Sequence, residues 1–251
     1  MLSFDKISLK VPSQEILQDV SFAVKPHTLT AIIGKNGSGK TSLVSCIIGE
    51  RKYKGSITYE GKDLRLMPLG EKGRLISVLP QILPSPHITV RELVRMGRSP
   101  YLDIGKTFTK EDLSRVAQAI ADTGITDVEH KYLTELSGGE RQKAYVAMVL
   151  AQNTRVIVMD EPTTYMDVSY AKELMALINE LKTKKKKTIL AVMHDINRAL
   201  EYADNILLLH EGKVVFYGTA KDCADSGKLE EIFNLKRRKY ICDGENKVIF
   251  I

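Results

Sequence analysis

The chain has 251 residues, of which 43% are hydrophobic and 27% are charged, a composition that supports a buried core and excludes an intrinsically disordered chain. No apolar run approaches the roughly 20 residues that cross a bilayer, and the start alternates apolar and polar residues, so we expect a cytosolic chain without a signal peptide. The net charge of +6 favours an anionic partner, which leaves nucleotide, nucleic acid and a membrane surface all open.

The first predicted element is an antiparallel β-layer. Apolar residues alternate with polar ones in residues 4–9 and again in residues 16–24, and the turn-forming stretch 12–14 separates the two runs. A short apolar run, residues 29–33, then leads into a glycine-rich segment and a stretch that favours a helix from Lys40. The predicted order is therefore strand, loop, helix.

The glycine-rich segment matches the phosphate-binding loop pattern, and the strand before it and the helix after it are the context that this pattern requires. Backbone N–H groups of such a loop turn toward phosphate oxygens, and the following helix presents its positive end to the same charge. We expect Lys40 to reach the β- and γ-phosphates and the Thr41 hydroxyl to bind Mg²⁺. The loop alone does not distinguish a kinase, a GTPase, a motor and a transporter ATPase. Its predicted nucleotide-binding residues are Gly34, Lys35, Asn36, Gly37, Ser38, Gly39, Lys40 and Thr41.

Residues 81–135 are predicted to form a helical subdomain inserted into a sheet-based core. Thr89 and Glu92 have the spacing of a capping box, which predicts a helix start at that point. Thr109 is predicted to cap a second helix, and Gly124 suits the position just past the end of that helix. The apolar face of the second helix is expected to consist of Leu113, Val116, Ala117 and Ile120.

Residues 136–142, with the sequence LSGGERQ, predict a helix with a small, glycine-containing tip. Ser137 and Glu140 have capping-box spacing, so the first N–H groups of the helix would point past two glycines. Such a tip is a second phosphate-binding surface, and one nucleotide is not easily held by both surfaces of a single chain. Taken alone, the same residues describe an ordinary helix N-cap. The predicted nucleotide-binding residues of the tip are Ser137, Gly138, Gly139 and Glu140.

Two further apolar runs, residues 156–159 and 189–193, are rich in β-branched residues and are predicted to be buried parallel strands. The first is followed by Asp160, placed to hold Mg²⁺, and by Glu161, placed to polarise an attacking water. The second is followed by His194. Because ligands bind at the carboxyl ends of strands in open α/β sheets, these side chains are expected to belong to a site.

Three cysteines, Cys46, Cys223 and Cys242, have no close metal-type pairing and are expected to be free thiols. The most basic run of the sequence, residues 184–187, lies between a predicted helix and a predicted strand. We interpret this run as a solvated loop and assign it no function.

The stretch LSGGERQ resembles the signature of the ABC ATPase family, and the phosphate-binding loop before it and the acidic strand after it stand in the family's order. The resemblance extends from about Leu2 to Leu235. It implies an α/β fold in which a P-loop NTPase core with a mainly parallel sheet carries an N-terminal antiparallel β-layer and an inserted α-helical subdomain. It also implies a single ABC ATPase domain over residues 1–251, divided into a core of residues 1–80 and 136–235, helical residues 81–135 and a C-terminal segment of residues 236–251.

The resemblance also assigns roles to single residues. Gln81, after a predicted strand, would sense Mg²⁺ and water, and His194 would contact the γ-phosphate. Asp167 would bridge two subunits, and the tip at residues 137–140 would contact the nucleotide held by the partner subunit. Val11 stands where the family usually has an aromatic residue that stacks on adenine, and an aliphatic side chain covers a base by dispersion alone. Judged singly, these residues have simpler alternatives, namely a surface glutamine, a helix-capping aspartate and a structural histidine.

Residues 89–94, 97–101, 147–148 and 161–165 are similar to the cassettes of iron-siderophore, haem and cobalamin importers. The similarity implies an ATP-hydrolysing subunit of a prokaryotic importer, located at the cytoplasmic face of the cell membrane, with ATP and Mg²⁺ as cofactors. Its implied partners are a second ATPase subunit, two integral membrane permease subunits and, indirectly, an extracytoplasmic solute-binding protein. An iron chelate is the favoured cargo, and haem, cobalamin and a free metal ion stay open.

Two other classes of protein are alternatives to an importer subunit, and the sequence fits both less well. An ABC-type ATPase that acts on ribosomes or DNA would suit the positive charge, but such proteins usually carry two fused cassettes or a long coiled-coil insertion, and this sequence has neither. A P-loop kinase or GTPase does not account for the LSGGERQ stretch or for His194. No nucleic acid partner is therefore expected.

Overall fold

The computed structural model describes residues 1–12, 14–103, 105–163, 166–242 and 245–251. In chain order its strands are β1 (Leu2–Val11), β2 (Gln14–Val24), β3 (Leu29–Ile33), β4 (Lys54–Tyr59), β5 (Lys62–Asp63), β6 (Ile76–Leu79), β7 (Val156–Asp160), β8 (Thr188–Val192), β9 (Asn205–His210), β10 (Lys213–Thr219), β11 (Arg237–Cys242) and β12 (Glu245–Phe250). Its helices are α1 (Lys40–Ile48), α2 (Leu69–Leu75), α3 (Val90–Met96), α4 (Lys110–Asp122), α5 (Gly138–Gln152), α6 (Val168–Thr183), α7 (Ile196–Tyr202), α8 (Ala220–Asp225) and α9 (Lys228–Phe233). The chain divides into two compact units, a first unit of residues 1–66 and 188–251 and a second unit of residues 67–187.

The first unit contains the predicted antiparallel β-layer. Its strand order is β2-β1-β4-β5, and β1 is antiparallel to both β2 and β4. Phe4 and Ile7 are both buried on β1 although they are three residues apart, because the register shifts between them and Lys6 takes a φ of 48°. A bulge of this kind adds one residue to a strand, so side chains on either side of it return to the same face.

A second sheet of the first unit has β3 at its centre. β3 is parallel to β8 on one side and to β9 on the other, and β10 pairs antiparallel with β9. Every residue of β3 and β8 is buried, as expected for parallel strands covered on both faces. The unit ends in the antiparallel hairpin of β11 and β12.

The second unit combines the parallel strands β6 and β7 with the helices α2 to α6. The predicted caps are confirmed here, since Thr89 and Thr109 each accept a backbone hydrogen bond at the start of α3 and α4 and form complete capping boxes. Gly124 follows α4 with a φ of 64°, the left-handed conformation expected just past a helix end. α5 packs against both α3 and α4.

The buried face of α4 differs from the predicted one. Val116 is buried as expected, but Leu113 is 42% exposed and Ala117 is exposed as well. Asp112 lies on the buried face instead, because its Oδ1 accepts a hydrogen bond from Arg98 Nε at 2.9 Å. A pattern that counts only apolar residues does not detect a buried carboxylate.

The predicted α/β fold class is confirmed, with mainly parallel strands, an antiparallel N-terminal sheet and helices. Cys46 and Cys223 are free, as predicted, and both are buried, whereas the Cys242 side chain lies outside the described part of the chain. Thr164 and Tyr165, which contribute to the importer similarity, also lie outside it. In the ranges that the structure describes, no helix has the length and apolarity that a membrane crossing requires.

Candidate functional site

The loop between β3 and α1 is the predicted phosphate-binding segment, residues 34–41. Strand, loop and helix follow in the predicted order, and α1 begins at Lys40. Gly37 and Gly39 have φ values of 79° and 102°, which glycine adopts without strain. A Cβ on Gly39 would lie 2.7 Å from Leu17 Cδ2, so the side chain of any other residue would collide there.

Lys40 extends back across this loop. Its Nζ donates hydrogen bonds to the carbonyl oxygens of Gly34 at 2.8 Å and Lys35 at 3.1 Å, and the residue is 6% exposed. The ammonium group is therefore held at the loop, where a lysine of this kind contacts phosphate oxygens.

Ser38 provides a test of whether the loop fits a phosphate group. Its Oγ is buried and has no hydrogen-bond partner among the residues that the structure describes. A buried hydroxyl without a partner costs free energy, and a phosphate oxygen is an acceptor that would satisfy it. Together with the loop glycines and the Lys40 ammonium, this hydroxyl makes the segment fit a phosphate.

His194 lies beside the same edge of the sheet. β8 is parallel to β3, with Val192 opposite Ile32, and the Met193 N–H donates to the Ile32 carbonyl at 3.1 Å. His194, the next residue, therefore follows β8 next to the point where the phosphate-binding loop follows β3. The side chains of His194 and Thr41 are exposed.

Val11 is the last residue of β1 and pairs with Gln14 at the turn into β2. It is partly exposed and belongs to the first unit, as the phosphate-binding loop does. Its contact with adenine stays a prediction.

The acidic pair lies at the carboxyl end of β7 in the second unit. Asp160 is 4% exposed, and Glu161 follows it with a φ of 55°. A positive φ is uncommon for glutamate and persists only where the surrounding structure holds it. β6 is parallel to β7, with Leu79 opposite Met159, so Gln81 follows the strand next to the one that ends at Asp160. The Gln81 side chain is exposed.

A hydrogen bond that the sequence did not indicate joins the acidic loop to α5. Gln142 Nε2 donates to the Pro162 carbonyl at 2.9 Å, and both residues are buried. Gln142 is the last residue of the LSGGERQ stretch, so this bond connects the helix that carries the glycine tip to the loop after Glu161. The sequence feature that could have indicated this bond is the spacing of Gln142 and Tyr145, which places the glutamine on the buried face of α5.

The predicted tip forms the N-terminus of α5. Ser137 Oγ accepts a hydrogen bond from the Glu140 N–H at 3.3 Å, and the Ser137 N–H donates to Glu140 Oε2 at 2.9 Å. The Ser137 hydroxyl and N–H together hold the pKa of Glu140 below its usual range. A Cβ on Gly138 would meet nothing within 4 Å, so the tip is open on that side. The start of α5, with Gly138 and Gly139 in its first turn, thus suits an anion.

Asp167 is the N-cap of α6, which is the simpler of its two predicted roles. Its Oδ1 accepts a hydrogen bond from the Tyr170 N–H at 2.8 Å. The Tyr170 ring lies beside the tip of α5, since a Cβ on Gly139 would be 3.4 Å from Tyr170 Cδ2. The Lys143 ammonium is 4.4 Å from the centre of the same ring. The start of α6 therefore supports the tip of α5, and a contact of Asp167 with a second subunit stays a prediction.

The structure groups the predicted residues by unit. The phosphate-binding loop, His194 and Val11 lie in the first unit, and the second unit contains Gln81, Asp160, Glu161, Asp167 and the tip. No cluster of three or more His, Cys, Asp and Glu side chains suited to a metal ion occurs among the residues described. The geometry fits phosphate binding, and the individual roles stay predictions.

Comparisons with known proteins agree on one family. A family model described as ABC transporter matches residues 17–164. The ferric enterobactin transport ATP-binding protein FepC of Escherichia coli (strain K12) is 35% identical over 234 residues, which cover 92% of this chain and 86% of that protein. The petrobactin import ATP-binding protein FpuC of Bacillus anthracis is 33% identical over 238 residues, which cover 94% of this chain and 88% of that protein.

Solved structures show the same fold. The ATP-binding cassette MJ0796, in a dimeric post-hydrolysis state bound to ADP and phosphate, matches with a TM-score of 0.77 at 23% identity, covering 88% of this chain and 99% of that one. The chain therefore belongs to the ABC transporter family. Within that family it is an ATP-binding subunit, and its enzymatic activity is ATP hydrolysis.

Proposed function

We propose that this chain is the ATPase subunit of an ABC importer that takes up an iron-siderophore chelate. The observation that carries the proposal is that one chain holds both a phosphate-binding loop, with the buried Ser38 hydroxyl and the Lys40 ammonium, and a second anion-binding tip at residues 137–140. The relatives' names, which specify ferric enterobactin and petrobactin, support the class of cargo.

In the proposed reaction, the phosphate-binding loop and Lys40 hold the β- and γ-phosphates of ATP. The Glu161 carboxylate accepts a proton from the attacking water, and His194 contacts the γ-phosphate. Attack at the γ-phosphorus breaks its bond to the bridging oxygen and gives ADP and phosphate. The position of Glu161 directly after β7 supports this role, because ligands bind at the carboxyl ends of parallel strands.

We assign Thr41, Asp160 and Gln81 as the protein ligands of Mg²⁺. Each side chain offers an oxygen, the donor atom that Mg²⁺ prefers. When bound, Mg²⁺ neutralises charge on the phosphate oxygens. The position of Asp160 at the carboxyl end of β7 supports the assignment, since ligands bind at this edge of α/β sheets.

We propose that two copies of the chain close head to tail over two ATP molecules. The tip of one copy, Ser137 to Glu140, would then contact the nucleotide held by the other copy, and Asp167 would bridge the two. The open side of Gly138 and the position of the tip at the N-terminus of α5 support this arrangement. MJ0796, which shares the fold, forms a dimer with ADP and phosphate.

We place the protein at the cytoplasmic face of a prokaryotic membrane, with two permease subunits and an extracytoplasmic solute-binding protein as partners. Movement of the helical subdomain, residues 81–135, with Gln81 at its start, would pass the closure of the ATPase pair to the permease. The energy for this movement is the difference in affinity of the open and closed pairs for nucleotide.

Adenine recognition is expected to be weak in this chain. With Val11 at the position that would face the base, dispersion replaces aromatic stacking. Val11→Tyr should therefore lower the KM for ATP several-fold, with little change in kcat. An unchanged KM would contradict the proposed contact between Val11 and adenine.

Steady-state hydrolysis tests the catalytic assignment. We expect Glu161→Gln to bind ATP and to lose nearly all turnover, and Lys40→Ala to lose nucleotide affinity. Glu211→Gln, an exposed glutamate outside the proposed site that also has a positive φ, is the matched control and should keep normal turnover. Normal turnover by the Glu161 variant would defeat the proposal.

Uptake tests the cargo. Cells that lack their own siderophore ATPase and carry this chain with its permease should accumulate labelled iron-siderophore, and the Glu161→Gln chain should not restore uptake. Parallel arms with haem, cobalamin and free iron discriminate the alternatives. Uptake of one of these in place of the siderophore would overturn the assigned cargo and leave the ATPase assignment intact.

A further inference from the structure

The second unit contains a cavity of about 200 Å³ that none of the proposed nucleotide-binding residues lines. Its walls come from α4, the end of α5, the start of β7 and the chain after α6, which is the basic run interpreted above as a solvated loop. At roughly 30 Å³ for each water molecule, the cavity has room for a ligand of about seven waters in volume. α5 has 15 residues and is therefore about 22 Å long, so this cavity and the glycine tip lie at opposite ends of one helix.

The basic run contributes to the cavity walls. Lys187 is partly buried, and its Nζ donates to the Thr154 carbonyl at 2.6 Å and to Asn153 Oδ1 at 2.9 Å, at the C-terminal end of α5. Lys185 Nζ donates to Asp122 Oδ2 at 2.5 Å. A freely solvated loop is therefore the wrong interpretation for Lys187, because this residue is held against the end of α5.

Three side-chain oxygens of the cavity walls accept hydrogen bonds from donors of the same walls. Asp122 Oδ2 accepts from Lys185, and Asp122 Oδ1 accepts from Gln118 Nε2 at 2.6 Å. Asn153 Oδ1 accepts from Lys187. A ligand that enters the cavity therefore meets N–H donors that still have hydrogen atoms to share, since an ammonium group carries three and a guanidinium five.

The side chains that line the cavity also carry more positive than negative charge. Arg115, Lys185 and Lys187 bring three positive charges to the lining, and Asp122 brings one negative charge. Arg115 is paired outside the lining with Glu111 at 3.0 Å, whereas no carboxylate within the described ranges makes an ion pair with Lys187. Burial, and then the nearby charges of Lys185 and Arg115, lower the pKa of Lys187. The three cations therefore repel one another across a small space.

We propose that this cavity binds a compact anion that carries a phosphate group, as a ligand site separate from the ATP site. A phosphate offers several acceptor oxygens and up to two negative charges, which match the remaining donors and the excess positive charge. The bound anion would connect α4, α5 and the start of β7. α5 begins after Ser137, and β7 ends at Asp160. A bound anion could therefore influence both the glycine tip and the acidic pair. The proposal does not depend on the cargo or on hydrolysis.

Residue-resolved acetylation of lysines tests the site without interference from the ATP site. The full chain is treated with an acetylating reagent in the presence of pyrophosphate, inorganic phosphate, citrate or sodium chloride at equal ionic strength, and the labelled peptides are quantified by mass spectrometry. We expect pyrophosphate or phosphate to slow acetylation of Lys185 and Lys187 several-fold and to leave Lys172, an exposed lysine of α6 outside the cavity, unchanged. Equal protection in sodium chloride, or no protection of Lys187, would overturn the proposal. Equal protection by citrate would overturn the assignment to phosphate.

The Arg115→Gln variant provides a second, independent test of the anion site. Arg115 pairs with Glu111 on the exposed side of α4, so its replacement should leave the fold intact. A change at Lys187 would also remove the contact with the end of α5. We expect Arg115→Gln to abolish most of the protection of Lys187 by pyrophosphate and Lys172→Gln, the matched charge change, to retain it. Full protection of Lys187 in the Arg115 variant would contradict the proposed anion site, which includes Arg115 among its donors.

Discussion

Arg98 and Asp112 form an ion pair that is almost removed from solvent. Their side chains are 5% and 9% exposed, Arg98 Nη1 donates to the Ala151 carbonyl at 2.8 Å, and the guanidinium lies 3.8 Å from the centre of the Tyr101 ring. Asp112 also accepts hydrogen bonds from the N–H and hydroxyl of Thr109. Buried charges are tolerated when their hydrogen-bonding capacity is filled in this way. The pair thus joins the residues before α4, α4 itself and the end of α5.

We predict that Asp112→Ala lowers the free energy of unfolding by about 3 kcal/mol, because it leaves the Arg98 charge buried without its partner. Urea denaturation at neutral pH measures the loss. Glu111→Ala, one residue earlier and largely exposed, is the control and should change stability by no more than about 0.5 kcal/mol. Similar losses in the two variants would contradict the importance of the buried pair.

The same carboxylate predicts an acid dependence. The Thr109 hydroxyl, followed by the Thr109 N–H and the Arg98 guanidinium, holds the pKa of Asp112 below its ordinary value of 3.8. A lowered pKa means that the folded state prefers the ionised carboxylate. The ionised carboxylate therefore stabilises the fold above pH 3.8, and this stabilisation is lost as the pH falls through the pKa of the folded state. The stability difference between the wild-type chain and Asp112→Asn should therefore shrink in strongly acidic urea titrations. A difference independent of pH would contradict the shift.

Cys46 and Cys223 should be chemically inert in the folded chain. Burial raises the pKa of Cys46 to about 11 and that of Cys223 to about 12, and the thiolate is the reactive form. We expect iodoacetamide at mildly alkaline pH to leave both residues unmodified in the native protein and to label both in concentrated guanidinium chloride. Peptide mass spectrometry reads out each site, and rapid labelling of either one in the native protein would contradict its burial.

At the scale of elements, the sequence predicts helix starts better than helix faces. Thr89, Thr109 and Ser137 cap helices as expected, because a capping box is a local arrangement of two residues that lie three positions apart. The face of α4 depends on a distant partner, Arg98, which brings Asp112 inside and leaves Leu113 outside. No local pattern contains that information.

Tyr170 gives a prediction about two elements, since its ring connects the start of α6 to the tip of α5. If the tip contacts nucleotide in a partner copy, as proposed, Tyr170→Ala should loosen the tip and raise the ATP concentration needed for half-maximal hydrolysis several-fold. Tyr170→Phe keeps the ring beside Gly139 and should behave as the wild-type chain does. Measured KM values that are equal in all three proteins would contradict a positioning role for the ring.

At the scale of the whole molecule, the sequence predicts where the candidate residues lie relative to the strands, but it does not predict their surroundings. The motifs predict that Gln81, Asp160 and His194 follow parallel strands, and the register of those strands confirms the placement. The buried Ser38 hydroxyl, the bond from Gln142 to Pro162 and the cavity beside Lys187 depend on packing between segments that are far apart in the chain. They became visible only in three dimensions.

The central claim is that two copies of this chain trap ATP between a phosphate-binding loop of one copy and a glycine tip of the other. Light scattering on Glu161→Gln, with and without ATP and Mg²⁺, tests it most directly because this variant should bind ATP without consuming it. We predict the mass of one chain, 28.1 kDa, without nucleotide and twice that mass with ATP, and a return to one chain when Ser137→Arg blocks the tip. A variant that stays at the mass of one chain when saturated with ATP would contradict the account.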